Sequence, residues 1–289
     1  MRRFDELHPV PVLVLLCAVM GLALLGSDPA YSLLALLGGA AAVLWRERCA
    51  RGLLFPALVG AGTAVLNPLL VHRGITVLFT LRGRPITREA ALYGITMGLT
   101  LCATLLWARL FSQMLTGDRL LYLFGTVSPR FGLLVSMGLR FVPLLLRDAR
   151  HIREAQTSLG LLSGKGVLAR ARGELRVLAA LLTRALENGI LTADSMAARG
   201  YGTGRRSRFS PFRFAPRDVA VLLCTLLLAV LPLSALFAGG AGWQFYPVLH
   251  TASGALRPAA LASLGLLSFF PILYDGKEAL SCRRLLSKI

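Results

Sequence analysis

Acidic side chains are scarce in this chain: 14 Asp and Glu stand against 32 Lys and Arg in 289 residues, a net charge of +18. The long apolar runs hold essentially none of them. That argues against an enzyme working inside a bilayer, which would need clustered carboxylates or a His/Glu/Asp set within its spans. Five cysteines (Cys17, Cys49, Cys102, Cys224 and Cys282) form no CxxC pair and no Cys/His spacing. Three of them sit inside apolar runs and read as small apolar fillers. The four histidines, His8, His72, His151 and His250, are scattered, so a metal site has little to build on. A Walker A string is also missing: Gly160 to Gly166 lacks GKS or GKT, and no strand pattern precedes it. Energy for any ATP-driven work must come from another chain.

Apolar sequence is what the chain has in quantity. It is 55% hydrophobic and 16% charged with a mean hydropathy of +0.66, values that point to the bilayer. MRRFDELHP precedes the first apolar run as in a signal peptide, but the run is long and another follows at once, so an uncleaved span is expected. Val10 to Gly26 and Ala30 to Trp45 are short spans around a Ser27-Asp28-Pro29 turn. Arg46, Arg48 and Arg51 form a basic loop that, with Arg2 and Arg3, belongs in the cytoplasm. Leu53 to Val71 is the third span, and Asn67-Pro68 is expected to interrupt it by removing a backbone donor. The freed carbonyl and the Asn67 amide then need partners inside the protein. A short structural loop over residues 72–89 is placed outside, despite its arginines. Ala90 to Met114 follows, with Gly94 and Gly98 spaced for close helix packing. Asp218 to Ala238 and Pro258 to Tyr274 complete about six spans, and the basic tail lies inside.

Half of the net charge lies in one stretch. Residues 147 to 217 carry fourteen Lys and Arg against five acids, a net of +9. Phe131 to Leu146, apolar except for Arg140, is expected to enter or skim the membrane and lead into cytoplasmic helices. Ala149, Ile152, Ala155 and Gln156 fall on one helical face beside Arg147, Arg150 and Arg153. Ser163 to Gly166 is a turn, and Val167 to Leu191 is a second amphipathic helix with Leu175, Leu178, Leu182 and Leu186 on one side. Residues 193 to 199 continue it, and Gly200 suits a left-handed helix end. Met196-Ala197-Ala198-Arg199-Gly200 is thus a slim helix end with one cation. It could simply favour the helix dipole, or it could sit in a partner's groove where Arg grips a carboxylate. The positive charge as a whole favours anionic lipid and membrane topology over nucleic acid.

Several strings together resemble the T component of energy-coupling factor (ECF) transporters, the CbiQ-like transmembrane subunit. Asn67-Pro68-Leu69 with His72 and Gly74 is similar to an NP-L-x-x-H-x-G string after an early span. Leu139-Arg140-Phe141-Val142-Pro143 leads into Ala155-Gln156, as LRF-x-P leads into A-Q-x-x-R-G in that family. Met196 to Tyr201 is similar to a second A-x-x-A-R-G-Y motif. The resemblance implies a non-catalytic scaffold whose long helices rest on two ABC-type ATPase subunits and support a separate substrate-binding S subunit. Each Ala-Arg-Gly motif would dock on one ATPase, with ATP and Mg2+ handled there and no cofactor held by this chain. Ala198, Arg199 and Gly200 carry over directly. The first motif departs, because Leu159 stands where the family has Arg, followed by the expected Gly160.

The expected architecture is an all-α membrane protein with about six transmembrane helices plus long cytoplasmic amphipathic helices. Residues 1–130 would hold the N-terminal spans, 131–217 the membrane-entering and coupling helices, and 218–289 a C-terminal hairpin with a basic tail. The expected function is energy coupling in vitamin or transition-metal uptake at a prokaryotic plasma membrane, with both termini cytoplasmic. Candidate coupling residues are Ala155, Gln156, Leu159, Gly160, Ala198, Arg199 and Gly200. Asn67, Pro68, Gly74, Arg140 and Pro143 are structural or face the S subunit. Two other classes are weighed: an anchor or scaffold whose basic face binds anionic lipid or another acidic partner, and a self-contained transporter. The latter would need a polar pocket at mid-bilayer, for which only Asn67, Ser136 and Arg140 are candidates.

Overall fold

The computed structural model describes residues 4, 7–71, 74–81, 84–162, 166–204, 212, 214–238, 242–246, 250 and 254–286. His72 and the basic run 205–208 lie outside the described residues. The elements are α1 (Pro9–Leu25), α2 (Pro29–Glu47), α3 (Arg51–Leu70), β1 (Val77–Leu81), β2 (Arg84–Thr87), α4 (Arg88–Met114), α5 (Gly117–Val127), α6 (Pro129–Ser158), α7 (Val167–Ala198), α8 (Pro216–Phe237) and α9 (Arg257–Leu286). They form two compact units, Met1–Leu120 with Phe212–Ile289, and Leu121–Pro211.

Among the described residues, six helices are long and apolar enough to cross a membrane: α2, α3, α4, α6, α8 and the Arg257–Lys277 part of α9. The number matches the expectation, but the membership does not. Helix α1, expected to span, has 17 residues, about 26 Å at 1.5 Å per residue against a hydrocarbon core of about 30 Å. Helix α6, expected to enter or skim, qualifies by length and hydropathy because the apolar segment and the basic segment are one 30-residue helix.

In the first unit, α4 packs against α1, α2 and α3, while α9 packs against α2 and α8. Small residues set the approach of α3 to α4. A Cβ on Gly60 would lie 2.8 Å from the Gly98 carbonyl oxygen and 2.9 Å from Cys102 Cβ. One on Gly94 would lie 2.9 Å from the Ala64 oxygen and 3.0 Å from Pro68 Cδ. Asn67-Pro68 therefore does not interrupt the helix. Pro68 deprives only the Ala64 carbonyl of its donor, that oxygen faces Gly94, and α3 continues to Leu70, where Val71 N–H closes on the Asn67 oxygen.

Polar ties anchor the remaining helices. Trp107, fully buried, donates Nε1–H to the Ala35 oxygen at 2.8 Å. Asp28 accepts from Ala30 N–H at the start of α2 and pairs with Arg257 at 2.8 Å, fully buried. Glu47 pairs with Arg109 at 2.7 Å. The expected structural loop after α3 is instead an antiparallel hairpin, β1 against β2. The β-branched and aromatic content of Thr76–Leu81 was its signal, obscured by four arginines and by the shortness of Arg84–Thr87.

Candidate functional site

Helices α6 and α7 build the site within the second unit. Ser128 caps α6 and Pro129 opens it, an arrangement suited to a helix start because proline has no N–H to leave unsatisfied. The helix then passes through Pro143, which is exposed. Helix α7 returns antiparallel, as two ion pairs show: Arg184 to Asp148 at 3.0 Å and Arg153 to Glu174 at 2.6 Å. Asp148 is the buried member. Gly173 lies under Leu162, which a Cβ there would strike, and Val177 is buried beside it. The expected stripe Leu175, Leu178, Leu182 and Leu186 is real, but it is exposed, on the face turned away from Gly173 and Val177.

The two helices end alike. Gly160 and Gly200 adopt φ of +72° and +76°. In α6, Gly160 N–H donates to the Thr157 oxygen and Leu161 N–H to Gln156. In α7, Gly200 N–H donates to Ala197 and Tyr201 N–H to Met196. Both are Schellman ends, which place the cap carbonyls in paired hydrogen bonds and turn the chain out of the helix. Leu159 (φ −78°, ψ 1°) and Arg199 (φ −81°, ψ 6°) hold the same cap position. Leu159 is 73% exposed, and Arg199 and Ala198 are exposed as well. The ends differ in chemistry, one apolar and one cationic.

The structure separates the candidate residues. Ala155, Gln156, Leu159 and Gly160 lie at the turn between α6 and α7, and Gln156 Oε1 is buried with no hydrogen-bond partner among the described residues. Arg199 lies at the other end of the pair, lining a cleft with Arg140. Arg140 on α6 and Leu159 at its cap are nineteen positions apart, about 28 Å along the helix. Pro143 is on α6 within this unit. Asn67 and Pro68 belong to the α3–α4 contact, with Asn67 Oδ1 buried and unpartnered among the described residues. Gly74 (φ +136°) belongs to the hairpin, where a Cβ would lie 2.5 Å from Glu89 Oε2 and 2.8 Å from Thr87 Oγ1. Thr76 donates to the other Glu89 oxygen at 2.6 Å. The sequence reading missed Asn188, Thr192 and Ser195, which join Arg140 and Arg199 around the cleft. Their spacing along α7 was the available signal. Among the described residues, no group of three or more His, Cys, Asp or Glu is placed to hold a metal.

A mainly helical chain that has, among the described residues, six apolar helices of spanning length, one of them running on into a basic helix pair, is a multi-pass membrane protein. The model of a family described as cobalt transport protein, CbiQ, matches residues 8–211, and the chain belongs to that family. It is similar to the energy-coupling factor transporter transmembrane protein EcfT of Bacillus selenitireducens, 32% identical over 110 residues, 37% of this chain and 41% of that protein. The EcfT of Streptococcus thermophilus is 28% identical over 113 residues, 38% of this chain and 43% of that protein. That of Thermosediminibacter oceani is 31% identical over 108 residues, 37% and 41% respectively. The chain spans about two fifths of the length of the curated relatives it matches.

Proposed function

We propose that this chain is the transmembrane coupling subunit of an ECF-type importer in a prokaryotic plasma membrane, with both termini cytoplasmic. It has no catalysis of its own. Two ABC-type ATPase subunits bind and hydrolyse ATP with Mg2+, and α6 and α7 pass their motion to a substrate-binding S subunit for a vitamin or a transition-metal ion. The observation that carries the reading is the pair of like-built helix ends, at Leu159-Gly160 and Arg199-Gly200, at opposite ends of one antiparallel helix pair. A slim end such as Ala198-Arg199-Gly200 enters a groove with little steric cost, and its guanidinium meets a carboxylate there through two parallel hydrogen bonds. At the other end Leu159 offers packing alone.

The test is co-purification of the tagged chain in detergent with its two candidate ATPases. Wild type retains them; Arg199→Glu loses at least one. Leu159→Arg binds more tightly if its partner groove is acidic. Equal ATPase retention by wild type and Arg199→Glu would overturn the coupling reading and favour a membrane anchor.

A further inference from the structure

The cleft between the first half of α6 and the last turns of α7 has a volume of about 390 Å³, within the ~300–1,000 Å³ range of small-ligand sites. Its walls are Met137, Phe141 and Leu144 from α6 and Leu191 and Met196 from α7. Its polar groups are Arg140, Asn188, Thr192, Ser195 and Arg199, and no acidic residue lines it. The Thr192 hydroxyl is engaged with the Asn188 backbone oxygen at 2.6 Å. The acids of this helix pair that have ion-pair partners are committed elsewhere: Asp148 to Arg184, Glu174 to Arg153 and Glu154 to His151. Two guanidiniums, an amide and a hydroxyl thus converge on an apolar-walled cleft without an internal counter-charge.

We propose that this cleft binds the headgroup phosphate of an anionic phospholipid. The α6 wall belongs to a helix of membrane-spanning length and hydropathy, so an acyl chain can lie along exposed Leu134, on the cleft side of the helix next to Met137 and Phe141, while the phosphate meets the cations. Arginine in such a place reaches from apolar surface to the headgroup layer, and its planar fork matches phosphate oxygens in pairs. Basic pockets beside membrane helices take anionic lipid by this chemistry. Arg199 is shared with the helix end assigned to ATPase docking and cannot grip a phosphate and an ATPase carboxylate at once: lipid holds it against α6 when no ATPase is docked, and Arg140 is the cation that belongs to the cleft alone.

The test uses the full chain in nanodiscs of phosphatidylcholine with a minor fraction of phosphatidylglycerol, released into detergent and weighed by native mass spectrometry. Wild type retains phosphatidylglycerol in preference to phosphatidylcholine. Arg140→Gln lowers that retention about fivefold, the effect of one cation at a lipid surface, and Arg140→Lys by less, since charge remains but the fork is lost. Arg170→Gln, exposed on α7 and outside the cleft, is the control for charge alone. Equal loss in Arg140→Gln and Arg170→Gln overturns the proposal. Displacement of the lipid by inorganic phosphate at millimolar concentration would also overturn it, assigning the cleft to a free anion. ATPase retention measured on the same samples keeps the two readings apart: lipid selectivity in a chain that binds no ATPase refutes coupling only.

Discussion

The α3–α4 contact offers the sharpest test of how this membrane bundle is held. Gly60 and Gly62 lie on the same helix two residues apart, yet their surroundings differ. A Cβ at Gly60 would meet the Gly98 carbonyl at 2.8 Å and Cys102 Cβ at 2.9 Å, whereas at Gly62 nothing lies within 4 Å. Ordinary van der Waals contact begins near 3.5 Å, so Gly60→Ala demands roughly 0.6 Å of separation between two backbones. The helices cannot yield there by rotating a side chain, because one obstacle is main chain. Overpacking of this kind costs about 1–3 kcal/mol, of which the better helix propensity of Ala returns about 1. Gly62→Ala receives the propensity gain without the clash. At about 2–4 °C per kcal/mol for a chain approaching this size, Gly60→Ala should melt up to about 8 °C below wild type and Gly62→Ala level with it or a few degrees above. Intrinsic tryptophan fluorescence during heating in one detergent, at one scan rate, reads both, since unfolding of such proteins is often irreversible. Equal shifts in the two variants would refute close backbone packing at Gly60.

Other perturbations follow from the same geometry. Asp28→Ala removes the α2 cap and the carboxylate that Arg257 grips, a loss of about 1–3 kcal/mol because Arg257 is itself partly exposed, read as a drop in melting temperature. Gly200→Ala forces a side chain into the left-handed region, at about 1–2 kcal/mol; it should weaken ATPase retention while leaving the melting of the first unit unchanged. His8 caps α1 through Nδ1, accepting from Val10 N–H at 3.3 Å. Burial lowers its pKa below the ordinary value of 6.5, with the Asp218 charge opposing. Its neutral form is therefore favoured by folding: its contribution is complete above pH 6.5 and declines as pH falls through 6.5 towards the lowered folded value. Melting curves from pH 7.5 to 5 should show that decline in wild type and a flatter profile in His8→Asn, which keeps a capping acceptor.

Some of this protein could be read directly from its residues. Hydropathy marked α2, α3, α4, α8 and α9 as spans because a helix must bring its own apolar surface to lipid, and that surface is a run in the sequence; it overrated the short α1 and underrated α6. The helix end at Gly200 was legible because a Schellman end is made by neighbours within six residues; the like-built end at Gly160 was not read, the turn being placed at Ser163 to Gly166. The resemblance of Asn67-Pro68, Arg140–Pro143 and Met196–Tyr201 to a family agrees with the family match over residues 8–211. The effect of Asn67-Pro68 was misjudged. Proline's local cost was known, but not that Gly94 would face the carbonyl it freed. The hairpin of β1 and β2 was hidden because its strands are short, five and four residues, and four arginines surround the β-branched and aromatic residues that mark them.

By itself, then, the sequence determined the helices, their caps and the basic character of α6 and α7, since each depends on residues within a turn or two. Tertiary structure alone decided that Gly60 meets Gly98, that Asp28 meets Arg257 across 229 positions, and that Arg140 and Arg199 line one cleft. Such pairings depend on how whole helix surfaces fit together. Many small contacts between distant segments set that fit, and no local pattern encodes it.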